Sequence, residues 1–203
     1  MTKKILSFDC ANVHLGCVYF KIDGYTRALC ALDASNASIQ LHERLDEVSR
    51  NLNKLYTFYI IETISLCGSK KMKDTPINER MLALKSFISR IEEHGAPDIV
   101  IIESQPPRNS ESFAIMCILN YIYPHAINVS PYEKNKINLG AGTLKDFTPH
   151  GVKPKSIHRK KHTQANFMHI INNYYPEIDL KKCGRVADVA DAFCQAIALI
   201  KLI

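Results

Sequence analysis

Two aspartates, Asp188 and Asp191, stand three residues apart in "GRVADVADAFCQAIALIKLI", a stretch that is otherwise almost wholly apolar after Arg185. On a helix this spacing sends both side chains out of one face. Two further acids end apolar runs: Asp9 closes "KKILSFD" and Glu103 closes "DIVIIE". Side chains at the carboxyl ends of neighbouring central strands in an α/β sheet converge over one crevice. Singly, Asp9 reads equally well as a turn cap, and Asp188 and Asp191 as partners of a helix N-terminus worth well under ~1 kcal/mol each. Together the four acids repel one another unless a cation joins them, which suggests a divalent-metal site. Mg²⁺ takes oxygen ligands from carboxylates, water and phosphate and needs neither His nor Cys. Two such ions about 3.5–4 Å apart stabilise the attacking and leaving oxygens of an in-line displacement at phosphorus.

The positive charge is clustered. Lys70, Lys71 and Lys73 form one group, Lys134 and Lys136 a second, and Lys153, Lys155, His158, Arg159, Lys160 and Lys161 a third, within a net charge of +6. Clustering of this kind suggests a polyanionic partner, nucleic acid first. Acid clusters for metal beside basic clusters for phosphate indicate a nuclease.

The elements that must position these groups are readable in order. "KKILSFD", "LGCVYFKI" and "YTRALCALD", the last two separated by a turn at Asp23 and Gly24, predict three strands of an antiparallel meander. Leu41, Leu45, Val48, Leu52, Leu55, Phe58 and Tyr59 recur at helical steps, predicting an amphipathic helix from Ile39 to Leu66. A second helix is expected over Ile77 to Glu93, ending at His94 and Gly95. "PDIVIIES" reads as a central strand buried on both faces, "SESFAIMCILNYIY" as a helix and "HAINVSP" as a short strand. Residues 131–155 hold the least structure, and their glycines lack the G-K-[ST] of a phosphate loop. "SIHRKKHTQANFMHIINNYY" is a helix expected to be capped by Ser156. In the final helix Val189, Phe193, Ile197 and Ile200 form the apolar anchor. The sum is an α/β fold: a mixed sheet, antiparallel first and parallel later, with helices on its faces.

With 203 residues, 46% hydrophobic and 23% charged, the chain is long enough for a full core, and one domain over residues 1–203 is expected. No apolar run reaches the roughly 18–20 residues needed to cross a bilayer, and none resembles a secretion signal. Seven cysteines, an odd number with no C-x-x-C, suggest free thiols in a reducing, intracellular setting. Eight scattered histidines give no structural metal site.

"ILSFDCANVHLGCVYF", "DIVIIESQPPR" and "VADVADAF", taken in order, resemble the RuvC-type Holliday junction resolvases. "VSP", then "HRKKHTQANF" and "VADVADAF", look more narrowly like the resolvases of poxviruses and related large DNA viruses. The resemblance spans roughly residues 4–200 and implies a ribonuclease H-like fold with a five-stranded sheet. It implies that Asp9, Glu103, Asp188 and Asp191 are the catalytic, metal-binding acids and that two Mg²⁺ ions, replaceable by Mn²⁺, serve each site. Lys161, with Lys160 as alternate, would balance charge on the transition state. Arg108, Lys134, Lys136, Lys155, Arg159 and Lys160 are the expected DNA contacts. The implied activity is resolution of four-way junctions by paired symmetric nicks, by a homodimer, in viral recombination, replication and concatemer resolution. The implied setting is the cytoplasm of an infected cell, with neither a membrane nor a small-molecule substrate. Two departures stand out: Ala11 replaces a glycine usual in the bacterial enzymes, and residues 39–95 are longer than the viral pattern, an extension expected to contact DNA or mediate dimerisation.

Competing readings are another ribonuclease H-like nuclease acting on RNA–DNA hybrids or branched and flap DNA, and a non-catalytic binding module of the same fold. The related sugar-kinase and actin-like ATPases need a duplicated domain and glycine-rich phosphate loops, for which this chain is too short.

Overall fold

The structure, a computed structural model, describes residues 2–11, 13–22 and 56–200. Apolar residues that are β-branched or aromatic dominate the strands, which form one five-stranded sheet in the order β3-β2-β1-β4-β5. Strands β1 (Lys3–Cys10), β2 (His14–Ile22) and β3 (Tyr56–Ser65) are antiparallel; β4 (Ile99–Glu103) and β5 (Ile127–Val129) continue parallel from β1. Helices α1 (Ile77–Glu92) and α2 (Ser110–Ile122) cover one face, and α3 (Ser156–Tyr174) and α4 (Val186–Ile200) the other. This is the expected mixed five-stranded sheet with flanking helices.

Strand alternation sorts the core into two layers. Leu6 and Phe8 of β1 and Val100 and Ile102 of β4 pack with Leu84, Phe87 and Ile91 of α1 and Ile115 and Leu119 of α2. Ile5 of β1 and Ile101 of β4 point the other way, toward Phe167 of α3 and Val189, Phe193 and Ile197 of α4. Asp9 and Glu103 share the parity of Ile5 and Ile101, so both carboxylates emerge on the α4 side. The β1–β4 register, with Phe8 opposite Ile102, sets them next to each other at the carboxyl ends of the two strands. Among the described residues no helix is long and apolar enough to cross a membrane, and the six cysteines are free thiols.

Two expectations about elements need correction. Residues Tyr56–Ser65, expected as the end of an amphipathic helix, form the third strand, paired antiparallel with β2. Tyr56, Phe58 and Ile61 pack toward α4, whereas Ile60 and Ile64 pack toward α1. An irregularity in the β2–β3 register at Tyr19/Phe20 shifts that alternation and made Phe58 and Tyr59 mimic a helical step. The strand expected at residues 25–33, the turn at Asp23 and Gly24 and the rest of the helix expected from Ile39 lie outside the described residues. Ser156 is the first residue of α3 rather than its cap: Lys155, extended after Pro154, is the cap, and its N–H donates to His158 Nδ1 at 3.2 Å. Residues 131–155 contain one short 3₁₀ turn, Glu133–Lys136. The remainder is tied to α3 by buried polar groups: Asn166 accepts from the Leu139 N–H at 2.5 Å and donates to the Gly142 carbonyl at 3.0 Å, and His162 Nε2 bonds the Ile137 carbonyl at 3.0 Å.

The first turn of α4 crosses β2 at Gly16. A Cβ there would stand 2.3 Å from the Asp188 carbonyl oxygen, so only glycine admits the helix this close. Gly16→Ala is therefore expected to force the first turn of α4 off the sheet and lower stability by about 1–3 kcal/mol. Chemical denaturation checks this; an unchanged midpoint would mean that the helix and strand are not in this contact.

Candidate active site

Four elements deliver the site. β1 and β4 end in Asp9 and Glu103, and α4 adds Asp188 and Asp191 from one face of its first turns. Each acid is at most 6% exposed. The helix is fixed by the apolar anchor, in which Val189, Phe193 and Ile197 are fully buried, and by Gln195, whose amide donates to the Ser7 hydroxyl and the Phe8 carbonyl at 3.4 and 3.3 Å.

At the centre lies Lys134, from the 3₁₀ turn after β5. Its Nζ is 2.9 Å from Asp9 Oδ1, 3.2 Å from Glu103 Oε1 and 3.0 Å from Asp191 Oδ2. Lys134 was expected as a surface contact to DNA; instead it is 8% exposed and committed to three carboxylates. A strand signal was available: the chain leaving β5 passes over the same strand ends as Asp9 and Glu103. Thr163 of α3, also missed, donates its hydroxyl to Asp191 Oδ1 at 2.5 Å. Gln105 donates to Glu103 Oε2 at 3.1 Å.

Asp188 sits at the edge of the cluster, 3.4 Å from Lys160 Nζ and 3.3 Å from Arg185 Nε. Its buried Oδ2 accepts no hydrogen bond and has the Arg185 ion pair as its contact. Among the described residues no three metal-ligating side chains form a ready-made ion site. Three of the acids nevertheless surround one cationic atom, and an all-oxygen donor set suits a hard divalent ion. The residues therefore fit such an ion.

The acids titrate unequally. Burial and then repulsion from Asp9 push Glu103 up to about 9. Burial also raises Asp191, against the pull of Lys134. Burial opposes ionisation of Asp9 as well, but Lys134, the hydrogen bond with Glu103 and Lys160 together outweigh it and hold that carboxyl below the usual range. Burial works against the Lys134 ammonium, but Asp9, Asp191 and Glu103 raise its affinity for the proton overall. Asp9 and Lys134 are thus a charged pair, while Glu103 retains its proton at neutral pH unless a further cation arrives.

A cleft of about 460 Å³ opens over the acids, lined by the loop after β4 (Gln105, Pro106, Asn109), the loop after β5 (Pro131, Tyr132) and one face of α3 (Ser156, Arg159, Lys160). Ser156, Arg159, Lys160 and Thr163 follow helical spacing on that face. Lys161 lies one position round the helix, exposed and outside the cleft, so geometry selects Lys160, the alternate, as the lysine beside the acids. Lys155 and Arg108 are exposed near the cleft without lining it, and Lys136 is exposed and paired with Glu133 at 2.8 Å.

Neither a protein-family model nor a curated protein sequence matches the chain. Solved structures do. Fowlpox virus resolvase, in complex with substrate Holliday junction DNA, is 17% identical over 98% of this chain and 97% of that one, with a TM-score of 0.56. Thermus thermophilus RuvC is 13% identical over 98% and 92%, with a TM-score of 0.51. RuvC of T. thermophilus in complex with a Holliday junction substrate is 12% identical over 98% and 96%, with a TM-score of 0.54. The chain has the ribonuclease H-like fold of these proteins, and the likeness runs along nearly its whole length. The fold that the motifs imply is thus the fold these proteins have.

Because Glu103 is raised from an ordinary 4.5 to about 9, its protonated form favours the folded state. That contribution is complete below about pH 4.5 and is lost as pH rises toward 9; Asp191 acts in the same direction. Asp9, held low, acts oppositely and only where pH falls below the usual carboxylate range. In chelator, the melting temperature is expected to fall between about pH 5 and pH 9, with a shallower slope in Glu103→Gln. Equal slopes in the two proteins would contradict the assignment.

Proposed function

We propose that this chain is a magnesium-dependent DNA endonuclease that resolves four-way junctions. The observation that carries the reading is the convergence of Asp9, Glu103 and Asp191 on one cation at the floor of a basic-rimmed cleft, within a fold shared with proteins solved on junction DNA.

Asp9, Glu103, Asp188 and Asp191 would hold two magnesium ions, with manganese able to substitute. When bound, these supply a Lewis acid that activates water and stabilises the leaving 3′ oxygen, leaving a 5′-phosphate and a 3′-hydroxyl. Lys134 neutralises part of the charge on the acids and lets them stay close together. Lys160 stands at the rim of the acid cluster, where a scissile phosphate would gain negative charge, and stabilises that charge. Arg159 sits beside it. Arg108, Lys136 and Lys155 lie further out and would grip backbone phosphates, which confers affinity without sequence and makes binding fall steeply with salt.

Opposed nicks in a four-way junction require two sites related by a two-fold axis, so a homodimer is the natural assembly. An apolar groove of about 740 Å³ between α1 and α2, on the sheet face opposite the α3–α4 layer, carries Leu82 and Tyr121 at 66% and 88% exposure. We assign it to a second copy, which would cover these side chains and leave both clefts open. In this reading α2 lies at the subunit contact. Residues 1–203 act as one nuclease domain in this reading. By likeness to the fowlpox virus protein, the setting is viral DNA recombination, replication and concatemer resolution in the cytoplasm of an infected cell.

The test is incubation of the protein with a synthetic four-way junction and magnesium. Symmetric paired nicks are expected, lost by at least about 100-fold in Glu103→Gln. Leu82→Glu is expected to separate the copies and convert paired nicks to single ones. Equal or better cutting of an RNA–DNA hybrid would contradict the junction reading, and cleavage unchanged in Glu103→Gln would remove these acids from the chemistry.

A further inference from the structure

The cleft contains one aromatic side chain among its described lining residues, Tyr132, and its position is unusual for a tyrosine with only a packing role. It is 61% exposed. Its backbone is nonetheless pinned: its N–H donates to the Ser130 hydroxyl at 3.3 Å, and its carbonyl accepts from the Asn135 N–H at 3.1 Å. Two residues on, Lys134 is buried among the acids, so the ring is anchored to the site itself. Over the ring lies the Arg159 guanidinium, 5.4 Å from the centroid, on the same helical face as Lys160. Pro106 and Asn109 also line the cleft, from the loop between β4 and α2.

We propose that Tyr132 is a stacking platform for the nucleobase next to the scissile phosphate, with Arg159 holding the ring in place and contacting the adjoining phosphate. An exposed aromatic face fixed beside a cation is the arrangement that takes an unstacked base and its backbone together, without reading its sequence. In an intact duplex the bases remain stacked on one another and offer the ring no partner. At the centre of a four-way junction the exchanging strands leave bases that can turn out at low cost. Tyr132 therefore selects branched over linear DNA and orients the strand so that its phosphate falls over Asp9, Glu103 and Lys160. It is a specificity-determining residue that touches substrate, and the acids do the chemistry. The inference rests on the junction-resolving reading above.

The experiment uses the full chain and a four-way junction carrying 5-iodouracil beside the cleavage position, with calcium in place of magnesium for the binding arm. Long-wavelength irradiation is expected to cross-link the base to Tyr132. Cross-linking is expected to persist in Tyr132→Phe and disappear in Tyr132→Ala. In magnesium, Tyr132→Ala is expected to cut the junction about tenfold more slowly, Tyr132→Phe at nearly the wild-type rate, and both variants to melt like wild type. Cross-linking that maps elsewhere, or a Tyr132→Ala protein that cuts as fast as wild type, overturns the inference and leaves the junction reading intact. Loss of activity in Tyr132→Phe equal to that in Tyr132→Ala also overturns it, since the hydroxyl rather than the ring would then be the active part. A wild-type protein that cuts no junction removes the reading itself, and this inference with it.

Discussion

Everything in this molecule is arranged around the cost of keeping buried carboxylates together. Removing each charge from water costs several kcal/mol, and mutual repulsion adds to it. Lys134 offsets part of the cost by lying within 3.2 Å of Asp9, Glu103 and Asp191. Burial, with repulsion from Asp9 behind it, still pushes Glu103 and Asp191 up, so one ammonium does not offset the whole cost. The site therefore favours additional positive charge, which is the physical basis for assigning it a divalent ion.

Such crowding persists only on a rigid frame. The β1–β4 register fixes two of the acids side by side, and the apolar face of α4 packs the other two against them. Gly16 sets how closely α4 approaches the sheet. Polar groups of α3 complete the frame: Thr163 orients Asp191, while His162 and Asn166 hold the segment that follows Lys134. The hydrophobic layers thus determine where charge sits, and the outer face of α3 carries the cations that would meet phosphate.

Much of this was legible in the sequence because its signals are local. An acid closing an apolar strand and a D-x-x-D pair on an apolar helix need only periodicity to be placed, and all four acids fall where their strand and helix positions put them. The order of α1, β4, α2, β5, α3 and α4 was readable for the same reason. What escaped depends on contacts distant in sequence. β3 is a strand because it pairs with β2, which a local helical count over Phe58 and Tyr59 cannot register. The burial of Lys134 arises from acids 31 to 125 residues away, and whether Lys160 or Lys161 faces them depends on the rotation of α3 against α4, which side-chain packing sets.

Whether these acids form a cation site around Lys134 can be seen by diffraction from crystals soaked in manganese. Anomalous density is expected among Asp9, Glu103, Asp188 and Asp191, with the Lys134 ammonium displaced from its three carboxylates. Crystals that take up no manganese there, with Lys134 still bridging the acids at millimolar metal, would contradict it.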